Sequence, residues 1–412
     1  MGTQAHGARE WQIVGALGIT VGTMFASLHG FIFLTPLIKQ DIPLTDTQVG
    51  MLALATGISS AFSAMFLTRL ADRLERRKAI LLWAVLGFTL TTAATALVSN
   101  VGWLVVNRVL LGLCLGPILP IAHSIVVDQT TEHRRGVNMG VLQSVMPNAM
   151  GNILAPIILI HIASSAGWRW AFAAVALPGL LMLLPLARGV REPARHEHGD
   201  TGRKPGMMDV VRHRNIALSM AISGLMGGWM LLSLIFVPLV LVDTGEVSPR
   251  KLSYLFGGLG AVGTLAGFVL PWLSDRYGRR PVTIASCVIA LAAPAATPML
   301  PMPVAPYMVM LAFGWMAVGS FSIFMATIPA ESVGAAHTAT AVGLASATAQ
   351  IIGTAVLPAI AGVVADYAGS RDAIFVMQAV LVLAATVLAF LLLETRRRAP
   401  LAAEQVPVRV GG

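Results

Sequence analysis

Apolar residues fill this chain in a series of stretches, each about 20 residues long, and short polar segments separate one stretch from the next. A helix rises about 1.5 Å per residue, so each stretch is long enough to cross a bilayer core roughly 30 Å thick. A membrane β-barrel would instead show alternating segments of about ten residues, and the sequence has no such series. The pattern predicts an all-α polytopic membrane protein with twelve transmembrane helices. The predicted spans lie at 12–37, 48–70, 79–99, 102–127, 137–162, 168–188, 216–241, 252–273, 282–300, 305–328, 338–363 and 373–393.

Composition agrees with this class, because 56% of the 412 residues are hydrophobic and only 11% are charged. The first apolar stretch, 12–38, is too long for the hydrophobic region of a signal peptide, and we expect it to remain as the first span. Both cysteines, Cys114 and Cys287, lie inside predicted spans, where we expect them to fill space. No cofactor or metal site is predicted, since the H-x-H pair of His196 and His198 has no third ligand nearby.

The formal charge of +9 would also suit a nucleic-acid-binding protein, so the position of the basic residues matters. Most of the 28 lysines and arginines lie in loops on the side of the N-terminus. The loops of the opposite side hold only Lys39, Arg169, Arg250, Lys251 and Arg371. Because cytoplasmic loops of membrane proteins are enriched in Lys and Arg, we expect both termini in the cytoplasm. The expected location is the inner (plasma) membrane, with no nucleic-acid partner.

A polar segment at 189–215 interrupts the apolar stretches in the middle of the chain, and we expect a linker there. The octapeptide Leu-Ala-Asp-Arg-Leu-Glu-Arg-Arg, which contains Asp72, recurs 203 residues later as Leu-Ser-Asp-Arg-Tyr-Gly-Arg-Arg, which contains Asp275. Two parallel six-helix halves around a central substrate site are a recurring plan of transporters. We therefore predict four segments: a bundle at 1–188, a cytoplasmic linker at 189–215, a second bundle at 216–395 and a cytoplasmic tail at 396–412.

The two octapeptides resemble the G-x-x-x-D-R-x-G-R-R signature that the major facilitator superfamily carries between its second and third spans. Here Thr68 and Pro271 stand in place of the first glycine, and Glu75 replaces the second glycine of the first copy. The resemblance implies an inner latch whose charged contacts one conformation keeps and the other breaks. Binding of anionic lipid headgroups is an alternative role for the same arginines. The implied latch residues are Asp72, Arg73, Arg76, Arg77, Asp275, Arg276, Arg279 and Arg280.

The fourth span extends this resemblance, since Arg108 begins a match to the superfamily's R-x-x-x-G pattern in that helix. The fifth span carries, at 151–156, only a degraded form of the motif of drug exporters. The run 112–120 is more similar to the organic-anion and metabolite:proton symporter branches. Those symporters commonly place a glutamate seven residues after the arginine, where this chain has Leu115.

Ionisable residues inside the predicted spans are few, and no aspartate or glutamate lies deep in one. Because an intramembrane charge costs several kcal/mol, such residues are functional candidates by default. Arg108 and His29 lie at similar depths, and we predict that Arg108 binds the anionic group of a substrate bidentately while His29 exchanges a proton beside it. Alternatives stay open: Arg108 could snorkel to the headgroups, and His29 could be a neutral structural histidine. His123 is a second candidate for proton coupling, with a structural role as its alternative.

Other polar and aromatic residues of the spans are candidates for the wall of the cavity. Asn148 and Asn152 share one face of the fifth span, and tryptophans could stack on a flat or apolar part of a ligand. Hydrogen bonds between helices and simple packing explain these residues equally well. The further substrate-binding candidates are Gln143, Asn148, Gln350, Trp229 and Trp315.

These features predict a monomeric secondary active transporter, not an enzyme, that moves a small organic anion by alternating access, with proton-coupled uptake as the leading mode. The alternative is proton-driven efflux of lipophilic or cationic compounds, for which Arg108 would be dispensable. A membrane hydrolase built on His123 and Ser124 is disfavoured because the sequence has no G-x-S-x-G motif. The sequence has no phosphate-binding loop, so an ion or substrate gradient is the expected energy source.

Overall fold

The described part of the chain is almost entirely helical. Eleven helices in the described part of the chain are long and apolar enough to cross a membrane, close to the predicted twelve. The predicted ninth span is helical over Arg279–Ala290 and Ala292–Ala296, and its end lies outside the described residues, as does most of the predicted linker and tail. The computed structural model describes residues 2–131, 134–192, 210–243, 247–296, 304–333 and 337–395.

Spans one to six form the first half. Span four is interrupted at Pro117, because proline cannot donate the backbone hydrogen bond that a continuous helix requires. The helices are Gly2–Asp41 (span one), Asp46–Leu74 (span two), Arg77–Ala94 with a 3-10 turn at Thr95–Leu97 (span three), Val101–Leu115 and Ile118–Gln129 (span four), Arg135–Gly140, Val141–Val145, Pro147–Leu154 and Ala155–Ala166 (span five), and Trp168–Gly189 (span six).

Spans seven to twelve form the second half. Span ten is the least regular of them, since a 3-10 segment and a π-helical segment interrupt it. The helices are Arg214–Asp243 (span seven), Pro249–Tyr277 (span eight), Arg279–Ala290 and Ala292–Ala296 (span nine), Val304–Trp315, Met316–Ser320, Ile323–Thr327 and Ile328–Ser332 (span ten), Thr338–Thr348, Ala349–Val356 and Leu357–Ala368 (span eleven), and Asp372–Phe390 (span twelve).

The two halves repeat the same helix crossing. Spans two and four approach so closely that a Cβ atom on Gly116 would come within 2.1 Å of the Ser63 Oγ atom. In the second half, a Cβ atom on Gly319 of span ten would come within 2.2 Å of the Ala266 backbone of span eight. Each residue of the second pair follows its counterpart by 203 positions, the same spacing as the repeated octapeptide. The sequence repeat is therefore a structural repeat.

A carboxylate at the end of each half caps another helix of that half. Glu192, after span six, accepts the backbone N–H of Lys78 at 3.0 Å. Glu394, after span twelve, accepts the N–H groups of Arg279 and Arg280 at 2.8 and 3.0 Å. The first N–H groups of a helix lack intrahelical partners and carry positive partial charge. These carboxylates therefore stabilise spans three and nine and tie the end of each half to the start of one of these spans.

Small residues bring the halves together along spans two and eight. A Cβ atom on Gly57 of span two would lie 2.6 Å from the Cβ atom of Ala355 in span eleven. A Cβ atom on Gly260 of span eight would lie 2.1 Å from the carbonyl oxygen of Asn152 in span five. Glycine allows backbones to approach at distances that any side chain would prevent. Spans two and eight thus form much of the contact between the halves, and spans one and seven also touch.

The halves meet toward one end of the molecule and separate toward the other. We call the end that holds residues 41–46 the closed end and the end that holds residues 74–77 the open end. Near the closed end, Phe33 and Phe256 meet across the halves with ring centroids 5.3 Å apart. Toward the open end, Phe268 of span eight is 67% exposed. The space between the halves therefore begins near the middle of the molecule and widens toward the open end.

Candidate substrate cavity

A cavity of about 760 Å³ lies between the two halves. Spans one, two, four and five line it from the first half, and spans seven, eight, ten and eleven line it from the second. Among the described lining residues, the ionisable ones are His29 and Arg108, and none is a carboxylate. The cavity is large enough for a small molecule, and the fixed charge on its described wall is positive.

Arg108 lies at this wall with only 2% of its surface exposed. Its Nη2 atom donates to Thr95 Oγ1 at 2.6 Å and to Asn107 Oδ1 at 2.7 Å. Its Cζ atom lies over the Phe31 ring, 4.6 Å from the centroid, and 5.9 Å from the centroid of Phe172. The buried Nε atom has no hydrogen-bond partner among the described residues. The guanidinium is thus held inside the first half, between spans one, three and six, and does not snorkel to the lipid headgroups.

His29 lines the same cavity and is held by span five. Its Nδ1 atom is 2.7 Å from Asn152 Oδ1, and Asn152 Nδ2 donates to Asn148 Oδ1 at 2.8 Å. An amide oxygen can only accept, so Nδ1 carries the proton of the neutral ring in this arrangement. Phe25 and Phe33 pack edge-on against the imidazole, with centroids 5.7 and 6.4 Å away. A further proton would then bind at Nε2.

The other candidate residues divide between the cavity wall and the layer behind it. Gln143, Asn148 and Gln350 line the cavity. Trp315 lines it as well, with 5% of its surface exposed. Trp229 is fully buried and is absent from the described lining, because it packs behind Trp315 with ring centroids 5.8 Å apart. Trp229 therefore supports a wall residue in this conformation and does not face the cavity itself.

His123 is also absent from the described lining of the cavity. It is partly buried in the second helix of span four, toward the open end, and its Nε2 atom has no hydrogen-bond partner among the described residues. The structure brings His29 and Arg108 to one cavity and leaves His123 outside it.

Charged residues outside the predicted site hold the closed end together. Asp46 accepts Nε and Nη2 of Arg371, from the other half, at 2.6 and 3.1 Å, and Lys39 Nζ at 2.9 Å. Asp366, also from the second half, accepts the N–H groups of Asp46 and Thr47 at 3.2 and 2.7 Å. The sequence gives little sign of these contacts, because an acidic residue at the start of a helix is common and Arg371 lies 325 positions away.

The implied inner latch lies at the open end, and its described ion pairs stay within one half. Arg77 lies 3.6 Å from Asp128 Oδ2 in the first half. In the second half, Arg279 pairs with Asp275 and with Glu331, whose Oε1 atom is 2.9 Å from Nη2. These ion pairs do not join the two copies of the octapeptide, and the latch role stays a prediction. The remaining latch residues are the exposed Arg73, Arg76, Arg276 and Arg280, and Asp72, whose side chain is outside the described part.

Comparison with known proteins identifies the family. A family model described as Major Facilitator Superfamily matches residues 15–351. The probable 4-methylmuconolactone transporter of Cupriavidus pinatubonensis is 28% identical over 269 residues, which cover 63% of this chain and 62% of that protein. The niacin transporter NiaP of Acinetobacter baylyi is 32% identical over 164 residues, which cover 39% of this chain and 37% of that protein. The chain thus aligns with less than two thirds of the length of either relative.

Solved structures share the fold over nearly the whole chain. A bacterial homologue of the human lysosomal transporter Spinster, in an inward-facing and unoccupied conformation, matches with a TM-score of 0.77. The match covers 93% of this chain and 96% of that one, at 18% sequence identity. At this identity the likeness concerns the fold alone, and it confirms the predicted fold class.

Proposed function

The chain belongs to the major facilitator superfamily, and we propose that it is a secondary active transporter that takes up a small organic anion across the inner membrane. The state of Arg108 carries this proposal. It is a buried cation at the cavity wall whose described hydrogen-bond partners are neutral. A buried charge without a counter-charge is costly, and a bound anion offsets that cost.

The guanidinium of Arg108 keeps donors for such an anion. Both of its described hydrogen bonds, to Thr95 and Asn107, use Nη2. A guanidinium presents two pairs of parallel N–H groups to a carboxylate, and each pair includes Nη2. A bidentate carboxylate therefore has to displace Thr95 or Asn107, whereas a single hydrogen bond from Nη1 leaves both in place. Exchange of a neutral acceptor for a carboxylate gives the charged donor a stronger partner.

His29 is the proposed site of proton coupling. Histidine changes its charge near neutral pH, and the described lining contains no carboxylate that could carry the proton instead. Asn152 occupies Nδ1, so the coupled proton would bind at Nε2. A proton that enters together with a monovalent anion leaves the net charge of the cavity unchanged, which lowers the cost of moving both through a low-dielectric protein.

The proposed direction rests on the orientation of the chain. The excess of Lys and Arg in the loops of the open end favours a cytoplasmic position for that end. The conformation described here then faces inward, and the contacts of Asp46 with Arg371 close the cavity toward the outside. Alternating access requires these contacts to break when the cavity opens outward.

Two observations support an anionic metabolite over a cationic drug. A cationic cargo is best paired with a carboxylate, and the described lining has none. The relatives named above are a probable 4-methylmuconolactone transporter and a niacin transporter, which supports a small metabolite as the cargo of this chain.

Uptake into proteoliposomes tests the proposal. A panel of radiolabelled lactate, nicotinate and benzoate should contain an acid whose uptake exceeds that of protein-free liposomes and rises with an inward proton gradient. Arg108→Gln should abolish this difference. The matched control is Arg212→Gln, which removes an exposed arginine outside the described lining and should leave uptake unchanged. Equal uptake by Arg108→Gln and wild type would exclude Arg108 as the anion site.

A further inference from the structure

The two halves contribute different chemistry to the cavity wall. The first half supplies both ionisable residues of the described lining and three of its amides, Gln143, Asn148 and Asn152. The second half supplies no ionisable residue to the described lining and only one amide, Gln350. Two of its polar residues, Thr264 and Thr354, donate their hydroxyl hydrogens to carbonyls of their own helices. The apolar residues of this wall include Met230, Leu231, Leu234, Phe268, Trp315 and Phe321.

The structural repeat shows where this difference arises. Spans four and ten correspond at an offset of 203 residues, so Leu311 occupies the place of Arg108 and Trp315 the place of Gly112. Span four therefore has a charged side chain at the first position and a glycine at the second, one turn further along. Span ten has an apolar side chain at the first position and an indole at the second. At these two positions the repeat has diverged, so that the first half carries a charged side chain and the second half an aromatic one.

The indole of Trp315 is held in a fixed position. One side packs on the fully buried Trp229 at 5.8 Å between ring centroids, with an angle of 40° between the ring planes. Its edge meets Gly263, where a Cβ atom would lie 3.2 Å from Nε1 of Trp315. An aromatic ring that is already immobilised loses little conformational entropy when a ligand stacks on it.

We propose that the substrate is a monoanionic acid whose carboxylate is carried on a flat, apolar ring. The carboxylate binds at Arg108, and the ring lies against Trp315 and its apolar neighbours on the opposite wall. This inference rests on the proposed anion transport and adds the shape and polarity of the anion's body. A compact acid without a ring reaches Arg108 but leaves the apolar wall uncovered.

Binding to the purified full-length protein in lipid nanodiscs tests this inference. The probes are benzoate, cyclohexanecarboxylate, acetate and the neutral benzyl alcohol, each titrated by calorimetry. Wild type should bind benzoate at least about tenfold more tightly than acetate, with cyclohexanecarboxylate between them, because stacking rewards a flat ring. Trp315→Leu should lower the affinity for benzoate to nearly that for acetate and leave the affinity for acetate unchanged. Trp315→Phe should keep part of the preference for benzoate. Trp83→Leu, which removes a 73% exposed tryptophan, is the matched control and should change nothing.

The outcomes separate this inference from the proposed function. Equal affinity of wild type for benzoate and acetate, or a benzoate preference that persists in a folded Trp315→Leu protein, would overturn the ring inference while anion binding stands. If Trp315→Leu does not fold, the affinities of wild type for the four probes and the benzoate affinity of Trp315→Phe test the ring inference instead. Binding of benzyl alcohol as tight as benzoate, or benzoate binding that is intact in Arg108→Gln, would instead overturn the proposed anion site.

Discussion

At the scale of single residues, Arg108 and His29 show what a sequence conveys about a buried charge. Their positions inside apolar stretches mark both as candidates, because charge in a membrane is costly. The sequence does not show that Arg108 bonds two neutral acceptors, since Thr95 belongs to another span. Nor does it show that the ring of His29 is oriented by Asn152. The chemistry of each residue depends on these neighbours.

Arg108→Lys separates the charge of Arg108 from its shape. Lysine keeps the positive charge but lacks the planar fork and cannot donate in the same geometry to Thr95 and Asn107. We expect carboxylate affinity to fall about tenfold in Arg108→Lys and to vanish in Arg108→Gln. Calorimetric titration of the preferred acid checks this. Wild-type affinity in the lysine variant would show that a point charge is sufficient and would contradict bidentate binding.

Asn152→Leu tests the coupling role of His29 through the pH dependence of uptake. The Oδ1 atom of Asn152 accepts from Nδ1 and orients the ring, so its removal should move the midpoint of uptake against pH away from the wild-type value. Asn148→Leu removes only the next hydrogen bond and should shift the midpoint less. Arg108, the other ionisable residue of the described lining, stays charged throughout this range. An unchanged midpoint in Asn152→Leu would argue against His29 as the proton carrier.

At the scale of the helices, close crossings and irregular turns occur together at the interface between the halves. Spans five and eleven each contain a π-helical segment, Pro147–Leu154 and Ala349–Val356, followed within two residues by a proline. Proline removes a backbone donor, so the regular hydrogen-bond ladder cannot continue through it. These two spans are also the ones that spans two and eight contact across the interface. The irregular helices thus lie where the halves have to separate.

Gly260→Ala should prevent the closed end from closing fully. The added Cβ atom would lie 2.1 Å from the carbonyl oxygen of Asn152 in the other half, and backbone cannot move aside cheaply. Gly258→Ala on the same helix is the matched control, because a Cβ atom there meets nothing within 4 Å. The probe is Thr35→Cys, a cavity position, in a chain whose two native cysteines, Cys114 and Cys287, are replaced by alanine. We expect this probe to be labelled faster from the closed-end side in Gly260→Ala than in Gly258→Ala. An impermeant maleimide applied to intact cells measures this, and equal rates would contradict it.

At the scale of the whole molecule, the closed end is held by charges that join the two halves. Asp46 combines a cross-half ion pair to Arg371 with a bond to Lys39, and Asp366 caps span two from the opposite half. At the open end, the described ion pairs lie within single halves. The contacts of Asp46 and Asp366 therefore have to break if the closed end is to open.

Arg371→Gln should favour a conformation in which the halves have separated at the closed end. Loss of a partly buried cross-half ion pair costs about 1 kcal/mol, so labelling of Thr35→Cys from that side should rise roughly fivefold. Arg169→Gln is the matched control, because Arg169 stands at the corresponding start of span six and pairs with Asp41 inside one half. That variant should leave the labelling rate at the wild-type value. A similar increase in both variants would show general destabilisation instead of gate opening.

Hydropathy, repeat spacing and a loop motif are properties of contiguous residues, so they predict the class of this protein without its structure. From these came the apolar spans, the 203-residue repeat that matches the helix crossings, and the resemblance to the superfamily that the family model confirms. The same reasoning selected Arg108 and His29, which the structure brings to one cavity.

Which of many locally equivalent residues meet is visible only in the folded chain. It placed Trp229 behind Trp315, gave Arg108 neutral partners, and joined Asp46 to a residue 325 positions away. An arginine or tryptophan in a helix has the same local preferences whether it faces a cavity, a neighbouring span or lipid. The choice among these depends on the packing of distant segments and on which of two conformations the halves adopt, and neither is encoded in any single stretch of the chain.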